Sequence, residues 1–254
     1  MVKVFWAVAA ALCLGLSVGN LHAGETAAAP LESGAHELLS ACDPGTALTD
    51  EERTALFDKL RISMAGRSVL NDFSKQYGSL TNLLIQWDSV SYSQVVRVDA
   101  GRGRSPAGES LLGNGVCVHL TRKLPEIEHI ADLAHELTHA TRLSPRVLHG
   151  DVADVAEFVR ARLTARGGEA DAFGVECKVK RELLGRWDEF CSPYASANAV
   201  ESFDTTQVTR DFYNGRLSAS LTGETYPVML SRQYKAMLAK RSRIQYATNP
   251  YAGK

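Results

Sequence analysis

His135-Glu136-Leu137-Thr138-His139 is the stretch on which the reading of this chain turns. Residues four apart on a helix share a face, with Cβ atoms about 5–6 Å apart, so two imidazoles can reach one tetrahedral metal ion. The glutamate beside the first histidine is then placed to act on a metal-activated water rather than to bind the metal. The flanks supply the helix that this geometry needs. Pro125 suits a first helical turn, and Ile127, Ile130, Leu133, Ala134, Leu137 and Ala140 recur at three- and four-residue steps as a buried stripe. The plain alternative is an amphipathic helix that carries two surface histidines.

A catalytic zinc site takes three protein ligands and leaves one position open. A third histidine six residues after His139 is excluded, because Pro145 stands there. Glu169 is the preferred third ligand. It follows the Gly167-Gly168 break, opens a new helical pattern, and is flanked by Ala170 and Ala172, which are small enough for close packing. A carboxylate in a first helical turn also suits the helix dipole. Glu176, on nearly the same face, and His149, in a glycine-adjacent turn, are the competing ligands; Glu176 is alternatively a partner of a ligand imidazole. Asp132 and Asp171 are candidate acceptors for imidazole N–H groups. The bland reading of Glu169 is an acidic residue at a helix start.

With these residues in view, the chain resembles the gluzincin arrangement of zinc metallopeptidases. More narrowly, His135 to Ala140, the run Glu169-Ala-Asp-Ala-Phe-Gly-Val-Glu176 and Arg181 to Gly185 are similar to compact effector-type bacterial metallopeptidases, over roughly residues 115–190. The resemblance implies a zincin-like α+β fold: a small sheet packed on the motif helix, a following ligand helix, and mostly helix elsewhere. It also implies Zn2+ bound by His135, His139 and Glu169, with Glu136 as general base. The pattern departs at Phe173, where related enzymes often carry an acidic residue four after the ligand glutamate.

The expected chemistry is peptide-bond hydrolysis. Zinc lowers the pKa of its water towards about 7, and Glu136 takes the proton and returns it to the leaving amine. Tyr194 and Tyr213 have suitable chemistry to stabilise the oxyanion, although a structural tyrosine is the plainer reading of each. The expected substrate is a protein or peptide, with an endopeptidase preferred. A cell-wall peptide hydrolase and a catalytically inactive zincin scaffold that binds a partner are the alternatives. Ala35-His36-Glu37-Leu38-Leu39 imitates the first half of the motif, but Ser40 replaces the second histidine.

Compartment is read from the start of the chain. Met1-Val2-Lys3 and the apolar run from Val4 to Val18 form a signal peptide, residues 1–23, with cleavage after Ala23 or, alternatively, Gly19. That run is shorter than the ~20 residues of a membrane span. The mature protein is therefore expected to be secreted or periplasmic, with no membrane association after cleavage. Cys42, Cys117, Cys177 and Cys191 remain, and an even number in an exported chain suggests disulfides. Cys42–Cys117 with Cys177–Cys191 is the favoured pairing of the three possible; free buried thiols are the alternative. The net charge of −1 gives no reason to expect nucleic acid.

Residues 24–48 read as a linker, 49–245 as one metallopeptidase domain and 246–254 as a tail. Thr49-Asp50-Glu51-Glu52 is a capping box at the start of a first helix, and a second carries Val69, Leu70, Phe73 and Tyr77 before Gly78. Strands are expected over 83–87, 90–98 and 116–120, with the glycine-rich 101–115 as a loop. The last strand is expected at the rim of the cleft, where an extended peptide adds to its edge. Helices are expected over 151–166 and 169–187, with Ser144-Pro145 as a stop.

Overall fold

A computed structural model describes residues 42–104, 110–195, 203–218 and 223–248. Residues 1–23, read as a signal peptide, residues 24–41 of the stretch read as linker, the His36-Glu37 imitation and residues 249–254 lie outside the described residues. The class is α+β: a small mixed sheet against helices. Among the described residues no helix is long and apolar enough to cross a membrane.

Helix α1 (Asp50–Ile62) starts at the expected capping box. Thr49 Oγ1 accepts from the Glu52 N–H, and Glu52 accepts from the Thr49 N–H. Helix α2 (Met64–Tyr77) ends against Gly78, whose φ is 80°. The sheet has the order β1-β2-β4-β3, built from β1 (Thr46–Ala47), β2 (Leu83–Asp88), β3 (Tyr92–Arg104) and β4 (Ser110–Thr121). β1 is antiparallel to β2, β2 runs parallel to β4, and β3 is antiparallel to β4. Thr46 and Ala47, at the end of the stretch read as linker, thus join the sheet.

Two expectations are corrected here. The glycine-rich stretch is largely strand, because Val96 pairs with Gly115, Val98 with Gly113, and Arg104 with Ser110. A ladder bonds through backbone N–H and C=O, so glycine weakens a strand without removing its partners. The strand that precedes the motif helix is not at the rim either. β4 lies between β2 and β3, and β3 forms the edge.

One face of the sheet carries Leu83, Ile85, Val116, Val118 and Leu120 into a core shared with α1, α2 and the motif helix α3 (Glu126–Arg142). On the other face Cys42 bonds Cys117. After α3 the chain forms α4 (Pro145–Leu148), capped by Ser144, then α5 (Val155–Thr164), capped by Asp154. Pro145 thus stops one helix and starts the next, where its missing N–H is not needed. Helix α6 (Glu169–Leu184) ends at Gly185, φ 71°, short of the expected Trp187. Helices α7 (Thr205–Tyr213) and α8 (Tyr226–Thr248) complete the described chain, and α8 runs into the stretch read as tail.

α6 is buried on both sides. Val175 and Val179 join the sheet-side core, while Ala170, Phe173 and Cys177 join a second core with α5, α7 and α8. A helix buried almost all round must pair any charge it carries, which gives Glu169, Glu176 and Lys180 their significance. The second disulfide, Cys177–Cys191, ties the loop after α6 back onto that helix, so both favoured pairings are present.

Candidate metal centre

Helix periodicity places His135 and His139 one turn apart on α3, with their Nε2 atoms 3.0 Å apart. Close packing of α6 on α3 brings Glu169 Oε2 to 3.6 Å from His135 Nε2 and 3.5 Å from His139 Nε2. These three form a group able to hold a metal ion, with all ligand atoms within 4.8 Å of one another. Zinc bonds of 2.0–2.1 Å give a tetrahedral edge of about 3.3–3.4 Å, and the observed separations bracket that value.

The hydrogen bonds behind the rings decide what the front offers. His135 Nδ1 lies 3.0 Å from Glu176 Oε2, and His139 Nδ1 lies 2.7 Å from the Gly167 carbonyl. Both partners are acceptors, so each Nδ1 donates behind its ring and each Nε2 is the nitrogen that faces Glu169, where a metal ion or a proton can sit. Glu169 Oε2 is buried without a hydrogen-bond partner, and its Oε1 takes Arg162 Nη2 at 3.1 Å. Two imidazole nitrogens and a carboxylate oxygen thus converge at a buried point, a donor set that suits a divalent cation.

The electrostatics of these groups agree. Burial opposes ionisation of Glu169, but the neighbouring His139 and His135 imidazoles and the Arg162 guanidinium outweigh it and hold its pKa well below the carboxylate range. Burial also opposes a charge on His135, yet contacts with Glu169 and Glu176 push its pKa well above the usual histidine value. A metal ion and a proton compete for the same place. For Glu176, burial is outweighed by Lys180 and His135, and its pKa falls to about 2.

Glu136 is 2% exposed and absent from the ligand group. It lines a cleft of roughly 340 Å³ together with His139, the β3 edge from Tyr92 to Val95, and Val147, His149, Phe158 and Met237. His149 therefore shares the cleft but not the ligand group. Asp132 does not serve an imidazole: it takes a short hydrogen bond from Ser91 Oγ, which in turn accepts the Thr121 N–H. Burial first, and then the Glu136 charge, raise the Asp132 pKa well above its ordinary value. Asp171 acts one bond further out. It accepts the Gly167 N–H at 2.8 Å and so steadies the carbonyl that His139 uses.

The departure at Phe173 now has a physical account. Phe173 packs in an aromatic cluster with Phe190, Tyr194, Phe203 and Phe212, while Glu176, three residues on, is the acidic residue of this helix that stands behind His135. The two tyrosines weighed from sequence lie elsewhere. Tyr194 Oη donates to Asp211 in the second core, and Tyr213 is 44% exposed. Sequence reasoning missed the Gly167 carbonyl and Arg162, and no local pattern announces either.

Gly167 has φ +77°, and a Cβ there would stand 2.2 Å from the Leu143 backbone nitrogen. Gly167→Ala is expected to lower the melting temperature, since the φ strain alone costs roughly 1–3 kcal/mol. It is also expected to weaken metal binding at the His135–His139–Glu169 group by displacing the carbonyl that fixes His139. Thermal melts and zinc titration check both, and a variant unchanged in each would show that the close approach is not needed.

Comparison with protein-family models, curated proteins and solved structures found no match for this chain.

Proposed function

We propose that the chain is an exported, gluzincin-type zinc peptidase that cuts peptide bonds in proteins or peptides. One observation carries this reading: the Nε2 atoms of His135 and His139, each ring held from behind at Nδ1, face one oxygen of Glu169, and Glu136 lines the adjoining cleft. A buried two-histidine, one-carboxylate set suits zinc, with an open position for a reactant. When bound, the ion supplies Lewis acidity, which acidifies a water and polarises a carbonyl.

The remaining steps belong to the chain's own residues. Glu136 takes a proton from the attacking water on its carboxylate and passes it to the leaving amine nitrogen. Among the described residues β3 is an edge strand of the sheet, and its Ser93–Val95 segment borders the cleft, where an extended peptide would pair through main-chain hydrogen bonds. Val147, Leu148, Phe158 and Met237 form an apolar wall that suits a hydrophobic side chain beside the scissile bond. The two disulfides fit an oxidising compartment, as export by the N-terminal signal requires.

The test is metal dependence with product analysis. Protein loaded with one equivalent of zinc should cleave an unfolded polypeptide, lose cleavage on chelation, and regain it on adding zinc back. Tight, stoichiometric zinc without cleavage of any protein or wall peptide would point to a binding role instead.

A further inference from the structure

Lys180 is 1% exposed, at a depth lysine occupies only when paired. Its Nζ stands 2.6 Å from Glu128 Oε2, 2.9 Å from Glu176 Oε1 and 3.6 Å from Asp188 Oδ2. The three carboxylates come from separate places: the beginning of α3, the preceding turn of α6, and the loop after α6. That loop is itself fixed. Asp188 Oδ1 accepts the Cys191 N–H at 2.6 Å, and Cys191 is bonded to Cys177 on α6.

The two nearer contacts are close ion pairs between the ammonium and a carboxylate oxygen. Burial works against the lysine's charge, but Glu176 and Glu128 outweigh it and hold its pKa above the ordinary lysine range. Stability does not explain such a cluster, since apolar side chains often replace a buried ion network at little cost. Its position does. Glu176 gives one oxygen to Lys180 and the other to His135 Nδ1. An unbroken line of contacts therefore runs from Lys180 through Glu176 to His135.

We propose that Lys180 is a positioning residue of the metal centre: its ammonium fixes the Glu176 carboxylate, and through it the His135 ring, so that Nε2 points at the shared ligand point. The proposal rests on the metal-binding part of the functional reading and not on peptide cleavage. Glu128 and Asp188 pair with the same ammonium, so the beginning of the motif helix and the disulfide-tied loop both bear on one ligand.

Zinc affinity of the full chain, measured against a competing chelator, tests it in Lys180→Met, Glu176→Gln and the double variant, with circular dichroism to confirm folding. Loss of a group that orients a metal ligand costs about 10–100-fold in affinity, and a loss of that size is expected for each single variant. The double variant should bind zinc no worse than Glu176→Gln alone, because Lys180 acts through that carboxylate. Wild-type affinity in folded Lys180→Met overturns the proposal, and so do losses that multiply in the double variant. Where the single Lys180 variant does not fold, the Glu176→Gln background carries the comparison: a further loss of about tenfold on adding Lys180→Met overturns it. Absence of zinc binding by the wild-type chain overturns both this proposal and the metal reading beneath it.

Discussion

Glu136→Gln should abolish peptide cleavage while leaving one zinc per chain. Glutamine matches glutamate in size, so the buried position beside the cleft is refilled without a cavity. The ligand atoms come from His135, His139 and Glu169, and none of their hydrogen bonds runs through Glu136. What disappears is basicity, because an amide oxygen cannot take the water's proton. A positioned general base contributes about 10²–10⁴-fold, and kcat/KM should fall by at least that much. Stability should hold or rise. Asp132, Glu136, Glu169 and Glu176 crowd one buried region, and the Glu136 charge helps to raise the Asp132 pKa. Zinc content, a melting curve and progress curves on one peptide separate the outcomes. A variant that cleaves within tenfold of wild type would remove Glu136 from the role of base, and one that loses its zinc would give it a structural role.

What was legible in the sequence is what local periodicity encodes. Two histidines four apart must share a helix face, and the Thr49–Glu52 box closes within four residues, so both survive in the structure. Glu169 was legible because the Gly167-Gly168 break marks a helix start, where small neighbours permit close packing. Less visible was what the backbone supplies. The acceptor for His139 is a carbonyl, Gly167 O, and any residue has one; only the +77° φ at that glycine sets it apart. Glu176 was recognisable as a nearby carboxylate, but its two-sided duty depends on α6 lying between two cores. The sheet order was not legible either. Whether β4 has a neighbour on each side depends on where the 92–104 and 110–121 segments pair, and a run of glycines conceals that pairing. Ser91 and Asp132, which pin β3 and β4 to the motif helix, are 41 residues apart and share no pattern.

Glu169→Ala should all but remove zinc, and its comparison with Glu176→Gln shows why the two acids on one helix are not equivalent. Glu169 presents Oε2 to both Nε2 atoms, whereas Glu176 presents its oxygen to the rear of His135. Loss of a group behind a ligand costs about 10–100-fold in metal affinity, so loss of the ligand itself should exceed about 100-fold. Truncation also frees Arg162, whose guanidinium then faces the two imidazoles without its carboxylate and repels any cation between them. The same titration on His149→Ala should give wild-type affinity, since His149 lines the cleft without joining the ligand group. Were Glu169→Ala to keep its zinc while Glu176→Gln or His149→Ala lost it, the third ligand would be reassigned to that residue. The order Glu169→Ala far below Glu176→Gln, with His149→Ala unchanged, is the one that the packing of α6 on α3 requires.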